Sequence, residues 1–293
     1  MKLIIQIPCF NEEATLATAL RDLPRSIPGI DVIEYLIIDD GSTDDTVRVA
    51  REHGVHHIVG FPKNQGLARG FMLGIHSCLK YGADIIVNTD ADNQYVGADV
   101  AELVRPILER RADIVIGARP IANIEHFSVA KKLLQRLGSG VVKLLSGTTV
   151  ADAPSGFRAF SRSAALNLNV FSKYTYTLET IIQAGQKNFQ VLSVPIRVNG
   201  ETRPSRLVKS ISAYVRKSVV TMMRMFVVYR PFRFFMIVGS LVFSSGLAVG
   251  ARFVYHFLQG RGQGMVQSLI LAAVLLMMGY HTILLAFVTD LLS

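Results

Sequence analysis

Disulfides cannot hold this chain together. Its only cysteines, Cys9 and Cys78, are too few for a stapled framework, which excludes a small secreted scaffold. Charge is scarce as well: Asp, Glu, Lys and Arg make up 18% of 293 residues, where a soluble domain carries about a quarter. With 50% hydrophobic residues and a mean hydropathy of +0.36, either the surface is unusually apolar or part of the chain lies in lipid. Disorder is excluded, because it needs the opposite composition. Tryptophan is absent, and so are two nucleotide signatures. No G-x-x-x-x-G-K-[ST] loop occurs, and no G-x-G-x-x-G follows the first apolar run, which removes the main support for a P-loop NTPase or a dinucleotide enzyme. Met1 to Phe10 is too short for a signal peptide and runs straight into Asn11-Glu12-Glu13.

The charge that is present is unevenly placed. Residues 1–196 are net neutral, whereas residues 197–233 set nine basic side chains against Glu201 alone, and the chain's total is +9. A nucleic-acid binder can carry such a patch. Its position just before the most apolar part of the chain favours anionic membrane lipid, with no nucleic-acid partner expected.

Short apolar runs at Leu3–Pro8, Leu36–Ile38, Ile85–Val87 and Ile114–Ile116 alternate with helical patterns at Glu13–Leu23, Asp44–His53, Leu67–Lys80 and Ala98–Arg110. That alternation predicts βαβ units around a mostly parallel sheet, an α/β fold. Phe127 to Leu145 again reads as helix, and Val191 to Val198 as a late strand. Two later segments, Phe234–Leu258 and Val266–Leu285, each reach the ~20 apolar residues that cross a bilayer core. A short glycine-rich connector, Gln259–Met265, predicts a transmembrane hairpin; a buried soluble hairpin lacks an apolar partner surface elsewhere in the chain. Two spans put the N-terminal domain and the C-terminus on one side, and the basic Arg224–Arg233 stretch predicts that side to be cytoplasmic. Between them, Lys209–Tyr229 carries apolar residues at helical spacing with Lys and Arg opposite. That is the pattern of an interfacial helix lying on lipid, or of a packed surface helix.

Open parallel sheets bind ligands at the carboxyl ends of their strands. Here those ends carry Pro8, Phe10, Asn11 and Glu12, then Asp39, Asp40 and Gly41, then Thr89–Gln94. So many carboxylates repel unless a cation or donors intervene. A hard divalent metal, Mg²⁺ or Mn²⁺, on the Asp90-Ala91-Asp92 loop accounts for them. Asp40 and Ser42 fit a turn and helix cap better than a ligand role. Asn64–Gly70 either approaches phosphate through backbone N–H groups or packs closely. His53, His56 and His57 have no cysteine partners and read as surface residues, not a zinc site.

Six motifs occur in order: P-x-F-N-E-E at Pro8–Glu13, I-I-D-D-G-S-x-D at Ile37–Asp44, N-x-G-L-A at Asn64–Ala68, D-A-D-x-Q at Asp90–Gln94, G-A-R at Gly117–Arg119 and D-x-x-S-G-F-R at Asp152–Arg158. Together they resemble the family-2 glycosyltransferases of the GT-A fold, in the dolichol-phosphate mannose synthase-like branch that makes polyprenyl-phosphate sugars. The resemblance spans about residues 3–210. It implies a cytoplasmic GT-A domain over 1–205, a basic interfacial helix region over 206–232 and a hairpin over 233–293, with spans at about 234–258 and 266–288. It also implies that Pro8, Phe10, Glu12, Asp39 and Asp90 hold the nucleotide and that Asp92 and Gln94 ligate Mg²⁺ or Mn²⁺. Arg119, Arg136, Arg203 and Arg206 then face the acceptor phosphate, while Asp152, Ser155 and Glu179 surround the sugar, with Asp92, Arg119, Asp152 and Glu179 as the catalytic set. The implied partners are a nucleotide-sugar donor, GDP-mannose first and UDP-glucose or a UDP-N-acetylhexosamine next, and a polyprenyl or dolichyl phosphate. The chain departs from the usual G-E-S-K ending of these synthases, having Gly200-Glu201-Thr202-Arg203.

Two other readings meet obstacles. A processive polysaccharide synthase resembles the donor half but carries Q-x-x-R-W, and this chain has no Trp. A non-catalytic membrane scaffold would not need Asp90, Asp92, Gln94 and Arg119 intact.

Overall fold

Apolar side chains on both faces make Lys2–Cys9 a central strand, β1, fully buried from Leu3 to Ile7. Around it the computed structural model, which describes residues 1–120, 140, 146–148, 150–170, 176–200, 219–220, 223–224, 226–260 and 266–291, builds a seven-stranded sheet. The other strands are β2 (Val32–Asp39), β3 (His57–Gly60), β4 (Ile85–Asn88), β5 (Ile114–Ala118), β6 (Arg158–Ser161) and β7 (Val191–Pro195), in the order β3-β2-β1-β4-β6-β5-β7. Helices α1 (Leu16–Asp22), α2 (Thr46–Glu52), α3 (Leu67–Lys80) and α4 (Val100–Leu108) connect them, followed by α5 (Arg162–Asn167) and α6 (Thr177–Gln186).

All strand pairs are parallel except those of β6, which runs antiparallel between β4 and β5. The expected sheet is thus present, with β3 and β6 outside the apolar runs that marked the other five strands. β6 has four residues, and its first is a fully buried arginine, so no apolar run announces it. Helix α1 is shorter than Glu13–Leu23, because the Glu12 carbonyl accepts the N–H groups of Thr15 and Leu16 in a separate turn.

The chain divides into two compact units, Met1–Ser218 and Val219–Ser293. The second contains α7 (Pro231–Leu258) and α8 (Val266–Leu291), of 28 and 26 residues, about 42 and 39 Å long at ~1.5 Å per residue. Each is long and apolar enough to cross a membrane. Their shared seam uses small residues seven apart: Gly239 and Gly246 on α7, and Ala272, Gly279 and Ala286 on α8. A Cβ on Gly279 would stand 2.5 Å from the Phe243 backbone nitrogen, so the close approach requires glycine there. Large apolar side chains such as Leu241, Leu271 and Phe287 point outward, as suits lipid-facing helices. Of the expected helices at Phe127–Leu145 and Lys209–Tyr229, all but Gly140, Val219–Val220, Met223–Arg224 and Phe226–Tyr229 lies outside the described residues, as do Arg136, Arg203 and Arg206.

Candidate active site

Register brings the candidate residues to one edge. Cys9 is level with Asp39, and Gln6 with Asn88, so the residues after β1, β2 and β4 emerge side by side. Because β6 is antiparallel, its beginning lies at this same edge, with Arg158 level with Asn88 and Ile116. Strand order reverses between β1 and β4, which is where an open α/β sheet opens its binding crevice.

On the β1–β2 side the loops are tied to one another. Asn11, at φ +55°, donates its N–H to Ser42 Oγ at 3.0 Å and accepts the Thr43 N–H on its side chain at 2.8 Å. The Asp39 carboxylate accepts Ser42 N–H at 3.0 Å, and the buried Glu12 donates its backbone N–H to Thr46 Oγ1 at 2.8 Å. Asp40, also buried, takes the N–H groups of Gln65 at 2.7 Å and Gly66 at 2.9 Å, fixing the N-terminus of α3. Its role is therefore to hold the Asn64–Gly66 turn against β2. Gly41 sits at φ +75°, and a Cβ there would meet the Lys63 backbone at 2.8 Å, which explains the glycine. Phe10 is exposed and Pro8 half-buried. The Cys9 thiol between these loops is pushed far up by burial and then by Glu12, Asp39, Asp44 and Asp90. Four carboxylates thus share one field, and the thiol is inert.

Asp44 has a pH signature. Partial burial alone would raise its pKa, but the Thr46 hydroxyl and the N–H groups of Glu13 and Thr46 outweigh it and hold the carboxyl below the ordinary Asp value. A depressed folded pKa stabilises above the unfolded value near 3.9 and is lost as pH falls through the folded one. Thermal midpoints measured between pH 6 and pH 3 should therefore fall less steeply at the acid end for Asp44→Asn than for wild type.

After β4, Asn93 at φ +54° bends the Asp90–Gln94 loop, and Asp92 Oδ1 accepts the Gln94 N–H at 3.1 Å. Asp92 and Gln94 are half-buried. Among the described residues no three of His, Cys, Asp and Glu close a metal cage. The candidate donors are instead an open set, the Asp92 carboxylate and the Gln94 amide oxygen with Asp90 beside them, which would suit a hard cation that completes its shell with substrate phosphate. Mg²⁺ or Mn²⁺ fits this chemistry. Gly156 backs the loop: a Cβ there would lie 3.1 Å from Asp90 Oδ2 and from Tyr176 Oη. Tyr95 is buried, stacks on Phe157 with centroids 4.9 Å apart, and accepts the Gly156 N–H at 3.3 Å.

On the β5–β6 side, Arg119 and Asp152 bind each other. Arg119 Nε donates to Asp152 Oδ2 at 2.7 Å and Nη2 to Oδ1 at 3.1 Å, with side chains 11% and 1% exposed. The resemblance gave these two residues separate substrates; the structure makes them a buried bidentate pair. Burial alone would lower the Arg119 pKa, but Tyr95, Asp152 and Asp90 raise it further, so it stays cationic. The pair uses two of its five N–H groups, and a phosphate can take others. Arg158 is fully buried and forms no salt bridge among the described residues. It donates to the carbonyls of Ala153, Ser155 and Thr177 at 2.6–2.7 Å and to Thr180 Oγ1 at 2.7 Å. Burial pulls its pKa down to about 10, still charged at neutral pH. It staples the Asp152–Ser155 turn to the first turn of α6, which carries the buried Glu179. Ser155 Oγ is buried and has no hydrogen-bond partner among the described residues.

Beneath the edge, Gln6 Nε2 donates to Asn88 Oδ1 at 2.9 Å, and Asn88 Nδ2 to Tyr176 Oη and the Gly156 carbonyl, each at 2.9 Å. Tyr176 stacks face to face on Phe71 at 3.9 Å. Single polar residues inside apolar runs gave no sign of this network in the sequence. The three histidines have separate partners: His53 the Val49 carbonyl, His56 the Tyr35 N–H, and His57 the Glu34 carboxylate at 2.7 Å.

A mixed, mostly parallel sheet with a carboxylate loop at its switch point is the architecture of a GT-A-type domain. The chain matches the model of glycosyl transferase family 2 over residues 4–168, and it belongs to that family. It is 31% identical over 206 residues to the uncharacterized protein MJ1222 of Methanocaldococcus jannaschii, covering 67% of this chain and 81% of that one. It is 29% identical to a UDP-N-acetylglucosamine–dolichyl-phosphate N-acetylglucosaminyltransferase of Methanococcus voltae (65% and 83% covered). To an undecaprenyl-phosphate mannosyltransferase of Micrococcus luteus it is 27% identical (70% and 88%). Among solved structures, glucosyl-3-phosphoglycerate synthase of Mycobacterium tuberculosis, in complex with Mn²⁺, UDP and phosphoglyceric acid, shares the fold. The TM-score is 0.58 at 20% identity, over 75% of this chain and 78% of that one. The protein is a glycosyltransferase.

Proposed function

We propose that the protein transfers one hexose from a nucleotide-sugar donor to a polyprenyl or dolichyl phosphate at the cytoplasmic membrane face. The observation that carries this is the union, in one chain, of a carboxylate-rich donor edge and two bilayer-length helices; a water-soluble acceptor would not need the second. The activities in the names of the Methanococcus and Micrococcus relatives support it.

In this reading Pro8, Phe10, Glu12, Asp39 and Asp90 bind the nucleotide, and Asp92 and Gln94 hold Mg²⁺ or Mn²⁺. When bound, that cation neutralises the donor diphosphate. A lipid monophosphate is anionic at neutral pH, its second pKa being near 6, so its oxygen attacks the anomeric carbon without a strong base. The new C1–O bond forms as the bond from C1 to the diphosphate breaks, and direct displacement inverts the anomeric centre. The chain's task is to position two anions against each other. Arg119, with Arg136, Arg203 and Arg206, receives the acceptor phosphate, and Asp152 orients Arg119 while facing the sugar. Ser155 offers a buried hydroxyl with no partner among the described residues, and Glu179 completes the sugar site. The basic stretch 197–233 meets anionic lipid, and Arg224–Arg233 keeps the domain cytoplasmic.

GDP-mannose is the first donor, with UDP-glucose and UDP-N-acetylglucosamine next. Purified protein with Mn²⁺ and a short polyprenyl phosphate should move label into the lipid phase from one of these three donors, and EDTA should abolish the transfer. Nucleotide binding without transfer from any of them would contradict the assignment.

A further inference from the structure

Asn199 has no part in the roles above, yet it grips the metal loop along three successive residues. Its side-chain Nδ2 donates to the Asn93 carbonyl at 2.9 Å and the Tyr95 carbonyl at 3.5 Å, and its backbone N–H donates to the Gln94 carbonyl at 2.8 Å. The neighbouring Val198 pairs with Tyr95 in an antiparallel bridge. One residue earlier, the Arg197 backbone N–H and guanidinium take the Asp99 carboxylate at 2.6–3.0 Å, anchoring the far end of the same stretch. Residues 197–199 therefore form a short brace along the loop that starts at Asp90.

The brace matters because of what it holds. Asn93 lies in the left-handed region at φ +54°, which an Asn side chain tolerates, and the contacts from residue 199 fix the peptides on either side of it. Asp92 and Gln94 flank it. Rotating either peptide next to Asn93 would swing one of these two donors away from the other. The bound carbonyls of Asn93 and Gln94 are the handles that prevent this.

We infer that Asn199 is a positioning residue for the metal: it sets the backbone of Asn93 and Gln94 so that Asp92 and Gln94 converge on one cation. The inference rests on the assignment of Asp92 and Gln94 as metal donors. Asn199→Asp tests it, since the substitution keeps the size but turns the donating amide into an oxygen that repels the Asn93 carbonyl. The probe is Mn²⁺ binding to the full chain in detergent, followed by electron paramagnetic resonance at saturating UDP and, separately, GDP, with thermal midpoints alongside.

Asn199→Asp should weaken Mn²⁺ binding roughly 10–100-fold, as is usual when an outer-shell partner of a metal ligand is lost. Nucleotide affinity in EDTA should stay at the wild-type value. Asn199→Ala, which leaves the carbonyls to water, should shift Mn²⁺ affinity in the same direction by less, and it serves if Asn199→Asp does not fold. Wild-type Mn²⁺ affinity in the folded variant would overturn the inference. Asp92→Ala, measured in parallel, separates the two levels. Lost Mn²⁺ binding in Asp92→Ala with none lost in Asn199→Asp overturns the role of Asn199 alone; unchanged binding in Asp92→Ala overturns the metal assignment and this inference with it.

Discussion

The Asp92→Ala protein is expected to fold, to stay in the membrane and to turn over at least about 100-fold more slowly than wild type. The scale follows from removing one preorganised group that stabilises developing charge, which costs about 10²–10³ in turnover. Asp92 is half-buried in a loop, where its carboxylate accepts the neighbouring Gln94 N–H at 3.1 Å. Asp40 makes the contrast. It is a buried carboxylate holding two N–H groups of the α3 terminus, and the scaffold depends on it. Kinetics with Mn²⁺ titrated, beside a thermal midpoint, checks the expectation. A fall in midpoint that matches the fall in turnover would reassign Asp92 to the fold.

The second large effect concerns Arg119 and Asp152. Asp152→Ala leaves a guanidinium that is 11% exposed without its bidentate partner, and unpairing a buried charge costs about 3–5 kcal/mol. The expected result is a marked loss of thermal stability together with activity. Replacing both partners with apolar side chains, Arg119→Met with Asp152→Leu, removes the stranded charge and should recover most of the stability. Activity should not return, because Arg119 is assigned to the acceptor phosphate. Recovered activity in the double variant would reduce the pair to a structural tie.

Much of this was legible in the chain. Apolar runs such as Leu3–Ile7 have no plausible place except a buried strand, and helix α3 matches its expected bounds, Leu67–Lys80. The D-A-D-x-Q motif stood out because it follows such a strand. The antiparallel β6 did not, since a four-residue strand starting with a buried arginine matches neither period. The pairing of Arg119 with Asp152, 33 positions apart, depends on β6 returning to the edge where β5 ends. Asn199 was equally hidden. An Asn-Gly dipeptide after a strand reads as an ordinary turn, and only the Tyr95–Val198 bridge shows which loop it clamps.

The central claim is that the acceptor is a lipid phosphate. The same fold in glucosyl-3-phosphoglycerate synthase is described in complex with phosphoglyceric acid, a small soluble phosphate. The direct measurement therefore offers purified full-length protein, with Mn²⁺ and each labelled donor in turn, equal amounts of a short polyprenyl phosphate and 3-phosphoglycerate. Label in the organic phase, displaced by excess unlabelled polyprenyl phosphate, is the expected result. Label confined to a water-soluble phosphoglycerate product would contradict the account, leaving the two long helices as an anchor without a part in acceptor choice.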